Sequence, residues 1–161
     1  MDQGLSHISA HGDVQMVDVG RKDITSREAV AQALVRLPEV CQAVLAGGGG
    51  TKKGNVLQTA RIAGIQAAKR TAELIPLCHQ LPLDAVDIAF LHDGAVLRIR
   101  ASVRCTARTG VEMEALTAAS VAALTVYDML KALSHDLVID GIELLRKSGG
   151  RSGAIDRMPA C

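Results

Sequence analysis

The sequence has almost no aromatic residues and almost no excess charge. Phe90 is its one phenylalanine and Tyr127 its one tyrosine, and tryptophan is absent from the 161 residues. A platform on which the bases of single-stranded nucleic acid stack is therefore not expected. The 18 lysines and arginines nearly balance the 17 aspartates and glutamates, which leaves a net charge of +1. This balance argues against broad, charge-driven binding of nucleic acid, but it leaves room for a local basic pocket that holds a small anion.

Cysteines are few, and they lack the close spacing that marks a metal site or a redox pair. The four are Cys41, Cys78, Cys105 and Cys161, and the first residues show no signal-peptide pattern. We therefore expect reduced thiols and a cytoplasmic location. The longest uncharged stretch in a helix-like region, Ala115 to Tyr127, is too short to span a bilayer, so we expect no membrane association.

The composition otherwise suits one folded domain over residues 1–161. Hydrophobic residues make up 48% of the chain and charged residues 22%, which is typical of a globular protein. The core must be built from alanine, valine, leucine and isoleucine. Alanine-rich helices bury little area each, so we expect the chain to bury further surface in an oligomer. We expect residues 1–25 and 148–161 to be mobile.

The hydrophobic pattern predicts an α+β fold. The early segment "REAVAQALVRL" is ambiguous: its apolar residues alternate as in a strand, but alanine also suits a helix. Further along we predict a short helix after Pro38, a helix capped by Asn55, a hairpin of two strands, a long helix over 109–133 and a last strand over 137–147. If the early segment is a strand, the order is β-α-β-β-α-β. That order predicts a ferredoxin-like antiparallel sheet with two main helices on one face.

The glycine-rich stretch "AGGGGTKKGNVL", Ala46 to Leu57, precedes a predicted helix. It lacks the Gly-Lys-Ser/Thr ending of a Walker loop. Lys52 and Lys53 nevertheless lie just before a helix N-terminus, where free N–H groups and the helix dipole favour an anion. The alternative is a flexible, solvated turn, and the pattern alone leaves both interpretations open.

The stretch "IPLCHQLPL" sets Cys78 beside His79 between two prolines. The simpler interpretation is a buried thiol and a hydrogen-bonded histidine in a rigid link. A Cys–His nucleophilic pair is the alternative, although adjacent side chains rarely meet well. No further ligands occur at metal-site spacing, so no metal site is predicted.

The long predicted helix carries charged residues at both ends. Glu112 and Glu114 lie in its first turn, where the helix dipole by itself favours carboxylates. Asp128 and Lys131 are three residues apart and therefore neighbours on one face, either as an exposed ion pair or as part of a site. Glu114 and Asp128 are separated by about 21 Å at about 1.5 Å per residue. If both belong to one site, a second subunit is expected to complete it.

Six stretches in one order along the chain resemble a known family: "MVDV", "KKGNV", "ARIAGIQAAKRT", "LIPLCHQLPL", "TGVEMEALTAASVAALTVYDMLKA" and "KSGGRSG". From about Leu5 to Gly153 the sequence resembles molybdenum cofactor biosynthesis protein C, the cyclic pyranopterin monophosphate synthases. The resemblance implies a ferredoxin-like subunit in a homo-hexamer, a trimer of dimers, with sites at subunit interfaces. It implies a lyase that converts 3',8-cyclo-7,8-dihydroguanosine triphosphate, made by a partner radical cyclase, to cyclic pyranopterin monophosphate and diphosphate.

The resemblance also implies roles for individual residues. The catalytic set would be Asp128 and Lys131 in proton transfer, with Lys53 in proton transfer or in stabilising charge on the phosphates. The substrate-binding residues would be Leu77, Cys78, His79, Glu112, Met113 and Glu114, with Lys147, its "SGGRSG" tail, Asp18 and Lys22 near phosphate. Two departures stand out: Asn55 replaces an aspartate of the family, and Gln80 replaces a proline.

The resemblance implies no cofactor and no protein metal site, although Mg²⁺ accompanying the substrate triphosphate is compatible with it. Two other interpretations of the sequence remain. One is a non-catalytic nucleotide-binding or regulatory module, since a ferredoxin-like fold hosts many functions. The other is a purely structural oligomer subunit. Catalysis requires Lys53, Asp128 and Lys131 to converge, a binding module requires only a phosphate cradle, and a structural subunit would leave those charges solvated and apart.

Overall fold

The computed structural model describes residues 12–150 and 153–158, which form both strands and helices. The long strands are β1 (Thr25–Arg36), β4 (Leu83–Asp93), β5 (Val96–Ala107) and β6 (Val138–Ser148), and the short ones are β2 (Gly50–Thr51), β3 (Gly54–Asn55) and β7 (Ile155–Asp156). The helices are α1 (Glu39–Ala46), α2 (Val56–Lys69), α3 (Thr71–Leu74) and α4 (Glu112–Leu130). Each predicted strand and helix has a counterpart in the structure, although the segment predicted as the helix capped by Asn55 is interrupted at Arg70 and forms two helices, α2 and α3.

The main sheet has the strand order β4-β5-β1-β6-β7, and its neighbouring strands run antiparallel. Its four long strands have the order of a ferredoxin-like sheet, in which the first and third strands of the β-α-β-β-α-β unit lie in the centre. The predicted α+β class is therefore confirmed. A separate hairpin of β2 and β3 carries the lysines of the glycine-rich stretch.

The ambiguous early segment is the central strand β1. It pairs with β5 from Thr25 to Arg36 and with β6 on its other side. Its alternate residues Ala29, Ala31 and Ala33 are fully buried, as expected for the core face of a strand. Alanine gives the strand a shallow core face, which lets the helices approach the sheet closely.

Helices α2 and α4 pack against each other on one face of the sheet. α4 lies over β1, β5 and β6, and α2 lies over β4. They approach closely at Gly64, where an added Cβ would lie 3.0 Å from the carbonyl oxygen of Ala118 and 3.3 Å from the Cβ of Ala122. Within α2 the small residues Val56, Ala60, Gly64 and Ala67 are buried, which permits this close approach.

The length of α4 bears on the expectation that no segment spans a bilayer. The helix has 19 residues, six more than the uncharged stretch Ala115 to Tyr127, and by length and composition alone it could cross a membrane. Half of that span is buried within the protein, against the sheet and α2. α4 is thus the core helix of this domain, and its burial in the core is enough to explain its apolar composition.

Parts of the segments predicted to be mobile, 1–25 and 148–161, lie outside the described residues, as do Cys161 and two residues of the "SGGRSG" tail. Within the described part, Ile155 pairs with Lys147 and Asp156 with Arg146, so residues 155–156 extend the sheet at its β6 edge. The mobility of both segments stays a prediction. Cys41, Cys78 and Cys105 are free thiols.

Candidate active site

A lysine–aspartate cluster lies at the C-terminal end of α4. The Lys131 Nζ is 2.7 Å from one carboxylate oxygen of Asp128, and the Lys53 Nζ is 3.2 Å from the other. Lys53 also donates to the backbone carbonyl of Asp128 at 2.9 Å. Carbonyls in the last turn of a helix have no partner within the helix, and that end of the dipole attracts cations. The structure thus brings together all three residues predicted to be catalytic.

The cluster fixes the ionisation of its members. Hydrogen bonds from Lys131 and Lys53, followed by their positive charges, lower the pKa of Asp128 below its usual value. The hydrogen bond and charge of Asp128 raise the pKa of Lys131. The two shifts widen the pH range over which Asp128 is a carboxylate and Lys131 an ammonium. About half of each side chain is exposed, so an incoming substrate can reach both the carboxylate and the ammonium groups.

Lys53 reaches the cluster because its loop is built by hydrogen bonds. The Thr51 hydroxyl donates to the carbonyl of Gly54 at 2.9 Å and accepts from the Lys53 N–H at 3.1 Å, which closes the β2–β3 hairpin around the lysine. Gly54 follows with a φ of +110°, a conformation that side chains rarely adopt. Of the two interpretations of the glycine-rich stretch, the structure therefore favours a formed loop that presents Lys53.

Asn55 ties this loop to α2. Its side-chain oxygen accepts from the Gln58 N–H at 3.0 Å, which confirms the predicted N-cap, and its Nδ2 donates to the carbonyl of Gly48 at 2.8 Å. The family that the sequence resembles has an aspartate at this position. An aspartate could form the first bond but not the second, because a carboxylate has no donor. The departure at Asn55 therefore adds a bond that holds the glycine run.

A cavity of about 460 Å³ lies at the opposite, N-terminal end of α4. It is formed where the segment before β1, the link between α3 and β4, the first turn of α4 and the end of β6 meet. All residues predicted from the resemblance to bind substrate line it: Lys22, Leu77, Cys78, His79, Glu112, Met113, Glu114 and Lys147. A second cavity of about 440 Å³ adjoins it, and the two share Lys22, Thr109, Gly110 and Glu112. Asp18 lines neither cavity, and its carboxylate instead accepts the Gly20 N–H at 2.7 Å.

Glu114 is a buried carboxyl group on the wall of this cavity, with only 4% of the residue exposed. Burial, together with the charge of Glu112, raises the pKa of Glu114. Burial and the charge of Glu114 in turn raise the pKa of the Cys78 thiol. A thiol with a raised pKa is a poor nucleophile, so the structure disfavours the Cys–His nucleophilic pair that the sequence left open.

His79 is held by the backbone before β1. Its Nε2 is 2.8 Å from the carbonyl oxygen of Val17. A carbonyl only accepts, so we assign the proton of this bond to Nε2. Nδ1 is then the ring nitrogen available to another partner. The simpler interpretation of "LCH", a hydrogen-bonded histidine in a rigid link, therefore describes His79 correctly, and its ring still lines the cavity.

Opposite charges face each other inside the cavity. Lys147 of β6 lies 3.1 Å from a carboxylate oxygen of Glu112, and both side chains are largely buried. The cavity therefore combines cations that can bind phosphate with carboxylates that can bind the N–H groups of a heterocycle. Among residues 12–150 and 153–158, no three histidine, cysteine, aspartate or glutamate side chains cluster as metal ligands would. The predictions about metal and cofactor are not tested by this finding.

The two ends of α4 do not meet within one chain. Glu114 and Asp128 lie on the same continuous helix, so the separation of about 21 Å expected from its rise holds. Neither of these two cavities is lined by Lys53, Asp128 or Lys131. The predicted site residues thus form two groups, one at each end of α4.

The sequence analysis missed several residues that line the cavities. Val17, Thr109 and Gly110 border the first cavity, and Arg27 and Arg108 border its neighbour. One available signal was position: the residues 108–110 join a strand to the N-terminus of the longest helix, a place where anions often bind. Arg27, at the start of a strand, carries no comparable signal.

The sequence is similar to those of known proteins. The model of the MoaC family matches residues 16–150. A cyclic pyranopterin monophosphate synthase of Chloroflexus aggregans (strain MD-66 / DSM 9485) is 57% identical to this chain over 152 residues. That alignment covers 92% of this chain and 91% of the relative, so the similarity includes both ends of α4, the loop of Lys53 and the cavity.

Proposed function

This chain belongs to the MoaC family, and we propose on that basis that it is a cyclic pyranopterin monophosphate synthase, a lyase of molybdenum cofactor biosynthesis. Its substrate is 3',8-cyclo-7,8-dihydroguanosine triphosphate, and its products are cyclic pyranopterin monophosphate and diphosphate. The link to a radical cyclase that makes the substrate is part of this proposal.

The observation that supports catalysis is the convergence of Lys53 on Asp128 and Lys131. Lys53 lies 75 residues before Asp128 in the chain, yet its ammonium group contacts both the side chain and the backbone of that residue. A module that only binds nucleotide has no need of this cluster. A structural subunit would leave the three charges apart, and their contacts argue against it.

The chemistry that we propose uses the cluster for proton transfer. Ring opening and reclosure require several protons to be removed and returned, and groups held within hydrogen-bond distance can supply both steps. Asp128 is the base, Lys131 is its partner acid, and Lys53 donates a proton or stabilises negative charge on the departing diphosphate. Each role uses the ionisation state that the contacts in the cluster favour.

The cavity at the N-terminal end of α4 is the proposed binding site for the substrate body. Glu112, Met113 and Glu114 contact the heterocycle, because carboxylates accept hydrogen bonds from the N–H groups of a guanine-derived ring. Leu77, Cys78 and His79 form the facing wall. Lys22 and Lys147 supply positive charge for the phosphates, in keeping with the preference of phosphate for charged donors.

We propose that a complete site contains parts of two subunits. Both groups of residues serve one substrate in this account, while about 21 Å of helix separates them in one chain. The cavity of one subunit must then meet the lysine–aspartate cluster of another. A homo-hexamer built as a trimer of dimers supplies such interfaces, and the exposed apolar side chain of Leu124 on α4 supports burial against a partner.

The proposed reaction needs no redox cofactor, because it rearranges bonds without net oxidation. Mg²⁺ can accompany the substrate triphosphate as a counter-ion. We further propose that the enzyme works in the cytoplasm, without nucleic acid or membrane as a partner. The low cysteine content, in which Cys41, Cys78 and Cys105 are free thiols, supports a reducing compartment.

The test is incubation of the purified protein with the cyclised triphosphate. Liquid chromatography with mass spectrometry should show cyclic pyranopterin monophosphate appearing together with an equal amount of diphosphate. An Asp128→Asn variant serves as the inactive control. Tight binding of the substrate without any product would favour the non-catalytic nucleotide-binding module instead.

A further inference from the structure

The hairpin that carries Lys53 does not use the backbone turns that hairpins favour. Its strands β2 and β3 pair at two positions, which leaves Lys52 and Lys53 as the turn. The favoured two-residue turns need a positive φ at their first residue. Among the described residues only glycines have a positive φ, so Lys52 does not provide it. Contacts other than a favoured turn must therefore hold Lys53.

The hairpin also lacks apolar side chains that could anchor it in the core. The residues 47–50 before Thr51 are all glycines, and the residues 52–55 after it are exposed. The side chain of Asn55 bonds to Gly48 and Gln58, so it ties the second strand of the hairpin to α2 and does not touch the turn. Hydrogen bonds at Thr51, rather than packing, must then decide how firmly Lys53 is held.

The half-buried side chain of Thr51 bonds the turn at two points. Its hydroxyl accepts from the Lys53 N–H at 3.1 Å and donates to the Gly54 carbonyl at 2.9 Å. A hydroxyl has one donor and two acceptor positions, so both bonds can form at once. Threonine and serine stabilise turns by accepting from the N–H two residues further on. Here that N–H belongs to the lysine itself.

The contacts at the other end of Lys53 are sensitive to where its backbone lies. Its Nζ bonds the Asp128 carbonyl at 2.9 Å and a carboxylate oxygen of the same residue at 3.2 Å. Two acceptors on one residue restrict the positions from which the lysine can reach both. About half of the lysine side chain is exposed, so packing does not fix the flexible stem between backbone and ammonium group. A shift of the turn therefore moves Nζ away from Asp128.

We propose that Thr51 is a positioning residue of the reaction, whose hydroxyl holds the turn so that Lys53 meets Asp128. This inference rests on the proposed function for the reaction that Lys53 serves. Thr51 acts through Lys53 alone and contacts no reacting atom. A misplacement of about 1 Å in a group that takes part in chemistry is enough to slow turnover severely. The rate of the chemical step therefore depends on this hydroxyl.

Steady-state kinetics of pterin formation test this role with variants of nearly constant shape. Thr51→Val loses both bonds and should lower kcat about tenfold, with KM within about twofold of the wild type. Thr51→Ser keeps the hydroxyl and should retain most of the turnover, and Thr51→Ala repeats the loss with a smaller side chain if Thr51→Val does not fold. Ser134→Ala is the matched control. It removes a hydroxyl that accepts the N–H two residues on, that of Asp136, also at 3.1 Å, and it should leave kcat within about twofold.

A double-mutant cycle asks whether Thr51 acts through Lys53. Adding Thr51→Val to Lys53→Ala should lower kcat no further, because the lysine that the hydroxyl positions is already gone. A further loss of about tenfold in the double variant would mean that the two residues act independently. That result, or wild-type turnover in both Thr51→Val and Thr51→Ala, would overturn the proposal.

Brief acetylation with acetic anhydride tests the placement of Lys53 without catalysis. Peptide mass spectrometry measures the labelling of Lys53 relative to its exposed neighbour Lys52 in the same protein. Loss of the contact with Asp128 in Thr51→Val should raise this ratio about two- to fivefold, the range that an exposed ion pair contributes, and Ser134→Ala should leave it unchanged. An unchanged ratio in Thr51→Val would overturn the proposal while leaving the lyase activity unaffected. A raised ratio in a protein that makes no pterin product would instead overturn the proposed function and keep the placement of Lys53 by Thr51.

Discussion

The Nζ of Lys53 lies 2.9 Å from the backbone carbonyl oxygen of Asp128 and 3.2 Å from a carboxylate oxygen of the same residue. One lysine therefore occupies the C-terminal end of α4 and contacts the proposed base. This contact joins the loop before α2 to the far end of α4. It makes Lys53, rather than its neighbour Lys52, the lysine of the glycine-rich stretch that can take part in chemistry.

Lys53→Ala should lower the turnover number by about a hundredfold or more, because it removes a proton donor or a group that stabilises charge. Lys52→Ala is the matched control, since Lys52 is exposed and lines neither cavity. It should retain most of the activity in the same assay of pterin formation. If Lys52→Ala lost more activity than Lys53→Ala, the catalytic role would belong to Lys52 instead.

Asp128→Asn should also lower turnover by about a hundredfold or more, since the amide keeps the shape of the side chain but cannot accept a proton as a carboxylate does. Asp136→Asn makes the same change at an exposed residue whose carboxylate accepts a hydrogen bond from the Ser134 hydroxyl at 3.3 Å, and it should remain active. Near-normal turnover in a correctly folded Asp128→Asn enzyme would remove Asp128 from the catalytic set.

Asn55 should support the loop through two separable bonds. Asn55→Ala loses both the cap of α2 and the bond to Gly48, and should destabilise the protein by about 1–2 kcal/mol. Asn55→Asp keeps the cap and should cost less. Urea unfolding at one fixed protein concentration measures both. If Asn55→Asp is as damaging as Asn55→Ala, the bond to Gly48 matters more than the cap.

Glu114→Gln should raise the melting temperature at neutral pH. Burial raises the pKa of Glu114 in the folded protein, so folding is penalised once the unfolded chain ionises, and the penalty grows as pH rises from the unfolded pKa to the folded pKa. The gain from glutamine should therefore be largest at neutral pH and disappear below about pH 4.

Melting curves of the Glu114→Gln protein at several pH values measure this gain. Glu112→Gln is the control: it breaks the ion pair with Lys147, and should give no gain in stability. If the difference in melting temperature between Glu114→Gln and the wild type stays the same across this pH range, then burial of the ionised Glu114 does not destabilise the folded protein.

The fold was predictable where the hydrophobic period was clear. In β5 the buried residues Leu97, Ile99 and Ala101 alternate with arginine or serine. This alternation, with a period of two residues, is typical of a strand and not of a helix. The alanines of β1 suit either state, and only pairing on both sides of the strand, with β5 and β6, decides between them. Such pairing joins residues far apart in the chain, which a local pattern cannot show.

The site was predictable in its residues but not in its geometry. The motif around Asp128 and Lys131 placed both on one helix face, and the ion pair between them follows from that spacing. The contact of Lys53 with Asp128 depends on how the β2–β3 hairpin folds against α4. Arg27 and Arg108 were missed because isolated arginines at strand ends have no distinctive spacing, and only the fold brings them to one cavity.

The most direct test of the central claim, a site shared between subunits, is complementation between two inactive variants. Glu114→Ala and Asp128→Ala should each be inactive as pure oligomers. In a mixed dimer with crossed sites, one site collects both substitutions and the other collects neither. Random exchange of equal amounts should therefore restore about a quarter of wild-type activity, because half the dimers are mixed and each has one intact site. Native mass spectrometry must show that mixed oligomers formed; if they form and activity stays absent, the crossed-site account is wrong.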